Sequence, residues 1–118
     1  MAHLNLFNPE NATGKHKRTF DQIDNAFGGV INMFKVIGNS SAALNSMWTS
    51  FGALSQGKLD GSLGEKIAVL VADINHCEYC LAAHTVLGQK AGATPEEMTQ
   101  AQAGHSEDPK TLAALAFA

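Results

Sequence analysis

Residues 65–84 read EKIAVLVADINHCEYCLAAH, and the secondary structure of this segment settles the fold class of the chain. Its first half, Glu65 to Ile74, is almost wholly apolar, so hydrophobic periodicity alone fits either a buried helix or a buried strand. No other part of the sequence is typical of a strand that could pair with it. The segment is therefore predicted to be a helix, and the chain is predicted to be all-α.

Capping residues mark the starts of several further helices. Ser40 and Ser41 precede a segment with a regular apolar face and predict a helix running to about Gln56. Thr94 is followed by proline and then by glutamates, a pattern typical of a helix start. Asp108, also followed by proline, predicts one more helix. The chain therefore reads as a series of short helices joined by tight connections.

The helix that carries the cysteines is predicted to begin at Asn75. Asparagine is a preferred N-cap, and Glu78 three residues later would complete a capping box. Gly92 fits the end of this helix. With Asn75 as the cap, Cys77 lies in the first turn, where unpaired backbone N–H groups and the helix dipole lower the pKa of a thiol.

Length and composition indicate one folded domain without a transmembrane segment. The chain has 118 residues, 45% of them hydrophobic, and a net charge of −3 with acidic and basic residues interspersed, which excludes the basic face of a nucleic-acid-binding protein. No apolar stretch reaches the roughly 20 residues needed to cross a bilayer, and residues 1–20 lack the apolar core of a secretory signal. We expect a cytoplasmic protein with an N-terminal arm at residues 1–16 and a helical domain at residues 17–118. The last helix is still apolar at Ala118, which predicts that the native chain continues or that a neighbouring subunit covers this end.

The strongest chemical signal is the spacing C-x-x-C-x-x-x-H formed by Cys77, Cys80 and His84, which includes both cysteines of the chain. On a helix these three positions fall within about 60° of one another. In a reducing cytosol such a pair is more often catalytic or metal-binding than a permanent crosslink. His84 is suited to proton transfer near neutral pH, and Glu65 is the candidate carboxylate to orient its ring. The pattern favours thiol redox chemistry without a cofactor.

Two other functions fit the same residues. Cys77, Cys80 and His84 are suitable zinc ligands, with His76 or Glu65 as the fourth. A closed zinc site, however, usually draws on two separated ligand pairs, and the chain has one. The other alternative is a non-catalytic oligomeric scaffold whose cysteines only sense oxidation.

Glu65 followed by Cys77-x-x-Cys80-x-x-x-His84 resembles the signature of the alkylhydroperoxidase D-like members of the carboxymuconolactone decarboxylase superfamily. The resemblance covers roughly residues 20–118. It implies an all-helical bundle that assembles into trimers, hexamers or larger rings. The chain differs from the best-characterised members at Tyr79, where they carry a second histidine. Because decarboxylase members lack the cysteine pair, lactone decarboxylation fits poorly.

The resemblance also implies a role for each residue of the signature. Cys80 would attack a hydroperoxide and become a sulfenic acid, and Cys77 would resolve it to a Cys77–Cys80 disulfide. Glu65 and His84 would form the proton relay that generates the Cys80 thiolate. The implied partners are a hydroperoxide substrate and a thiol or disulfide electron donor, or a peroxiredoxin served by disulfide exchange. The helix-dipole argument favours Cys77 as the more acidic thiol, but a relay acting directly on Cys80 outweighs a dipole effect of about 1 kcal/mol.

Overall fold

The computed structural model describes residues 3–118, and every regular element in this range is a helix. The predicted all-α fold is therefore confirmed. A 3-10 helix at Pro9–Asn11 precedes seven α-helices: α1 Gly14–Phe27, α2 Asn32–Ile37, α3 Ser41–Ser55, α4 Gly61–Ile74, α5 Glu78–Lys90, α6 Pro95–Gln102 and α7 Pro109–Phe117.

The predicted helix starts at Ser40, Thr94 and Asp108 are confirmed. The Ser40 hydroxyl accepts a hydrogen bond from the N–H of Ala43 at 3.2 Å, and the Asp108 carboxylate accepts one from the N–H of Thr111 at 2.9 Å. At Thr94 a complete capping box forms, because its hydroxyl and the Glu97 carboxylate each accept the other residue's backbone N–H. These bonds satisfy donors that the first turn of a helix leaves unpaired.

The chain forms two compact units, one ending at Gln56 and the other spanning Gly57–Ala118. The first unit contains α1, α2 and α3. Its core is built around four fully buried apolar side chains on these helices: Phe20, Ile23, Phe34 and Leu44. Helix α1 begins at Gly14, so its first turn falls inside the predicted arm, of which residues 1 and 2 lie outside the described residues. The predicted boundary between arm and domain stays a prediction.

The second unit contains α4 to α7 and carries the whole cysteine–histidine signature. Helix α4 packs against α5, α6 and α7, which explains why its sequence is apolar on most sides. The core of this second unit is a cluster of buried small and medium side chains: Val69, Ala93, Met98, Ala101 and Leu115. Among the helices of residues 3–118, none has the length and apolar character needed to span a membrane.

Candidate active site

The turn between α4 and α5 positions the first cysteine. His76 has a left-handed backbone with φ of 52°. The N–H of Cys77 donates to the carbonyl of Ala72 at 2.9 Å, and the N–H of His76 donates to the carbonyl of Asp73 at 3.0 Å. This pair of hydrogen bonds defines a Schellman motif, which ends a helix and reverses the chain. Asn75 is therefore the last residue of this helix end rather than the first of the next helix.

The prediction that Asn75 and Glu78 form a capping box is wrong. Helix α5 begins at Glu78, and its N-cap is Cys77, whose sulfur accepts a hydrogen bond from the N–H of Cys80 at 3.2 Å. The reason is that the Schellman motif uses the backbone of residues 75–77 to close α4. Consequently Cys77 lies at the N-cap, not in the first turn, and the first turn holds Cys80 instead.

The two cysteines form a disulfide in this structure. The Cα atoms of Cys77 and Cys80 are 5.2 Å apart, within the usual range for a disulfide. Both residues are half-buried, so the sulfurs are neither sealed in the core nor fully open to solvent. In the reduced protein the Cys80 N–H and the start of α5 would stabilise negative charge on Cys77, because both place positive partial charge at the N-cap.

The two residues predicted to transfer protons, Glu65 and His84, meet because α4 and α5 are adjacent. Glu65 Oε2 and His84 Nδ1 are 2.7 Å apart, although the residues are separated by 19 positions in sequence. Glu65 lies in the second turn of α4, since the helix begins four residues earlier at Gly61 and is capped by Asp60. Its carboxylate is therefore placed toward α5 and is not simply an acid favoured by the helix dipole. With Nδ1 engaged, Nε2 is the ring nitrogen available to exchange a proton.

Glu65 changes the proton affinity of His84. The hydrogen bond that His84 Nδ1 donates to the Glu65 carboxylate raises the pKa of His84 above its ordinary value of 6.5, partial burial opposes this shift, and attraction to the carboxylate charge adds to it. The side chain of His84 is 37% exposed. Because the pKa is raised in the folded state, the pair stabilises the fold below the unfolded-state pKa, and this contribution is lost as the pH rises through the folded-state pKa.

A shallow depression of about 280 Å³ opens beside the disulfide. Six residues from the end of α4 and the start of α5 line it: Ala72, Asp73, His76, Cys77, Glu78 and Leu81. Of the two cysteines in the disulfide, Cys77 lines the depression and Cys80 does not. The depression gives a small molecule or a protruding side chain space to approach Cys77.

Two neighbouring residues of the signature segment are exposed. His76 is solvent-facing. Tyr79 is 63% exposed in the chain. The zinc alternative requires free thiolates, whereas here the two sulfurs are bonded to each other, and in residues 3–118 no group of three or more His, Cys, Asp or Glu side chains is placed to hold a metal ion.

Gly88 is a residue of this site that the sequence reasoning missed. It is buried on α5 one turn after His84. A Cβ atom at this position would meet Met98 Cε and Sδ at 2.5 Å and the Cβ of Glu65 at 3.3 Å. The absence of a side chain thus lets α4 and α6 approach α5 at the level of the Glu65–His84 pair. A glycine inside a helix, four residues after the histidine, was the available signal.

We expect Gly88→Ala to destabilise the protein by about 1–3 kcal/mol, the usual cost of adding volume to a packed interior, because the end of Met98 that must move is itself buried and the Cβ of Glu65 is held close to its backbone. This cost should exceed the roughly 1 kcal/mol by which alanine is favoured over glycine inside a helix. The matched control is Gly64→Ala on α4, where an added Cβ meets nothing within 4 Å and the change should be neutral or stabilising. Urea denaturation followed by circular dichroism measures both. Equal free energies of unfolding for the two variants would contradict the close-packing argument.

Comparisons with known proteins show the family to which the chain belongs. The model of the carboxymuconolactone decarboxylase family matches residues 42–118, which include the whole signature. The crystal structure of an alkylhydroperoxidase AhpD core from Rhodospirillum rubrum superimposes with a TM-score of 0.72 and 25% sequence identity, covering 99% of this chain and 83% of that chain. The comparison with curated proteins found no significant match. The chain therefore belongs to the carboxymuconolactone decarboxylase family, and within it to the alkylhydroperoxidase D-like members.

Proposed function

We propose that this protein is a thiol-dependent peroxidase that reduces hydroperoxides through the Cys77–Cys80 pair. The observation that carries the proposal is the combination on one helix of a cysteine pair able to form a disulfide and, one turn later, a histidine bonded to a carboxylate at 2.7 Å. A hydroperoxide needs a thiolate to attack it and an acid to protonate the departing alkoxide. These residues supply both groups.

In the first step His84 takes the proton of the Cys80 thiol, and the thiolate attacks the terminal oxygen of the hydroperoxide. The O–O bond breaks, Cys80 becomes a sulfenic acid, and the alkoxide leaves as an alcohol after taking the proton back from His84. Glu65 supports this step because its hydrogen bond raises the pKa of His84 and makes the ring a better proton acceptor. Sulfur is oxidised by two electrons and the peroxide is reduced by two.

In the second step the Cys77 thiolate attacks the sulfenic sulfur of Cys80, which forms the disulfide and displaces hydroxide, and the hydroxide takes up the proton that the Cys77 thiol has lost to give water. The N-cap position suits this role, since the Cys80 N–H stabilises charge on the Cys77 sulfur. An external thiol then restores the dithiol by thiol–disulfide exchange at Cys77. The same exchange would let the protein pass electrons to a peroxiredoxin.

The experiment that tests the proposal adds one equivalent of cumene hydroperoxide to the reduced, metal-free protein. We expect both thiols to be lost at the rate at which the peroxide disappears, with an intact mass lower by two hydrogen atoms. Protein alkylated with iodoacetamide before the addition is the control and should leave the peroxide unchanged. If both thiols persist while the peroxide remains, the peroxidase proposal fails. Reduction of the disulfide by thiols would then still support an exchange adaptor.

A further inference from the structure

The depression beside the disulfide is lined by one of the two cysteines, Cys77, in an acidic setting. Cys77 lines it, together with the carboxylates of Asp73 and Glu78, both solvent-exposed. In residues 57–118 neither carboxylate forms an ion pair with a lysine or histidine. Asp73 is held in place by the side-chain amide of Gln102, which donates to Oδ1 at 2.7 Å. Within residues 57–118 the negative charge of these two carboxylates is therefore not paired with a lysine or histidine.

The unit that contains the depression also carries a net negative charge. Residues 57–118 contain eight acidic side chains and four lysines. His76 is the remaining ionisable side chain of the depression. An incoming thiolate thus approaches two nearby carboxylates within a net acidic unit. Each negative charge that the reductant carries in addition to its thiolate raises the barrier to reaching the Cys77 sulfur.

We propose that Asp73 and Glu78 select the reductant by charge, so that the depression accepts aminothiols, whose thiolate form carries a compensating ammonium, and discriminates against thiols that carry carboxylates. The inference rests on the proposed function, because it names the class of electron donor for the same disulfide. It assigns to Asp73 and Glu78 a role in specificity, separate from the proton relay of Glu65 and His84.

The chemical step is a thiol–disulfide exchange. The thiolate of the aminothiol attacks the Cys77 sulfur, the Cys77–Cys80 bond breaks, and Cys80 leaves as a thiolate that takes up a proton. A second aminothiol attacks the mixed disulfide on Cys77, which releases the oxidised disulfide of the aminothiol. The protein gains two electrons and two protons, and two thiols are oxidised.

The test compares three small thiols that differ in charge: cysteamine, 2-mercaptoethanol and 3-mercaptopropionate. Their thiolate forms have net charges of zero, minus one and minus two. Rate constants for reduction of the oxidised protein are measured for the wild type and for Asp73→Asn and Glu78→Gln. The ratio of variant to wild type is taken for each thiol, because the intrinsic nucleophilicity of the thiol cancels in that ratio.

We expect each carboxylate removed to accelerate reduction by roughly threefold for each unit of net negative charge on the attacking molecule, from Coulomb repulsion in water at contact distances. Cysteamine should be unchanged, 2-mercaptoethanol should react about threefold faster, and 3-mercaptopropionate about tenfold faster. In 0.5 M salt the differences should largely vanish, because a Debye length of a few ångströms screens these charges. For the wild type, the salt series alone should accelerate 3-mercaptopropionate most, a result independent of how the variants fold.

Glu107→Gln is the matched control, since Glu107 is an acidic residue of the same unit that does not line the depression. Glu107→Gln should be reduced by each of the three thiols at the same rate as the wild type. His76→Asn isolates the contribution of the imidazole and keeps a residue that tolerates a left-handed backbone. Alkylation of the quenched reaction should locate the mixed disulfide on Cys77.

The inference would be overturned if Asp73→Asn and Glu78→Gln gave the same variant-to-wild-type ratio for all three thiols, or if Glu107→Gln showed the same acceleration as these variants. A mixed disulfide on Cys80 would also overturn it. The outcome is separate from that of the proposed function, because hydroperoxide consumption is measured on reduced protein without added thiol. A protein that consumes hydroperoxide but shows no charge ranking retains the function and loses the inference. A protein that shows the charge ranking among the thiols but does not consume hydroperoxide retains the inference and loses the proposed function.

Discussion

Replacement of Cys80 by serine is expected to abolish hydroperoxide turnover, with a loss of about 10³-fold or more in kcat, the scale reached when a catalytic nucleophile is removed. The physical reason is that a serine hydroxyl is not ionised near neutral pH, and its oxygen is not oxidised by a hydroperoxide as a cysteine sulfur is. Cys77→Ser should behave differently. Its Cys80 thiol remains, so it should consume one equivalent of peroxide and then stop with the sulfenic acid unresolved.

The two serine variants are each other's matched control, because both remove one sulfur from the same helix start. Labelling with dimedone, a reagent for sulfenic acids, should mark Cys77→Ser after peroxide and leave Cys80→Ser unmarked. Ala82→Ser, at an exposed position of α5, tests whether a new hydroxyl on this helix has any effect of its own. Labelling of Cys80→Ser instead would reverse the assignment of the attacking and resolving cysteines.

Replacement of Glu65 by glutamine is expected to lower kcat/KM for hydroperoxide by about 10- to 100-fold, and His84→Gln by about 10²- to 10⁴-fold, the usual range for general acid–base groups. Glu65→Gln removes the carboxylate whose hydrogen bond is the main cause of the raised pKa of His84. The pKa of His84 should therefore fall toward 6.5, and the acid limb of the pH–rate profile should move to lower pH.

The direct measurement is an NMR titration of the His84 ring in the oxidised protein, with and without Glu65→Gln. Glu96→Gln is the control, because Glu96 is an exposed carboxylate on α6 that makes no contact with His84. It should leave both the titration and kcat/KM unchanged. An unaltered His84 titration in Glu65→Gln would mean that the 2.7 Å contact does not control the proton affinity of the ring.

Much of the fold follows from local signals in the sequence. Ser40, Thr94 and Asp108 carry side chains that accept hydrogen bonds from the first turn, and each begins a helix as predicted. The apolar run of residues 65–74 is helical, and among residues 3–118 there is no strand with which it could pair. The cysteine–histidine spacing and the preceding glutamate are linear patterns, so the family was predicted from them and is confirmed. The subunit number and the cellular location stay predictions.

The sequence signals were misleading where two local motifs compete for the same residues. Asn75 is a good N-cap and Glu78 is correctly spaced to complete a capping box. The backbone of these residues instead closes α4 in a Schellman motif, which passes the N-cap to Cys77. A cysteine is an unusual N-cap, so no propensity rule selects it. The result is decided by how α4 ends and α5 packs back against it.

The candidate reacting side chains were identified by sequence alone, because Cys77, Cys80 and His84 lie close together in sequence at a spacing that brings them together on a helix. Tertiary structure decided which groups contact them. The contact of Glu65 with His84 requires α4 and α5 to pack side by side, and Gly88 permits that approach by leaving space for Met98 and Glu65. The depression that presents Cys77 arises where the same two helices join. Such contacts depend on distances between segments, and one linear sequence does not encode those distances in any local pattern.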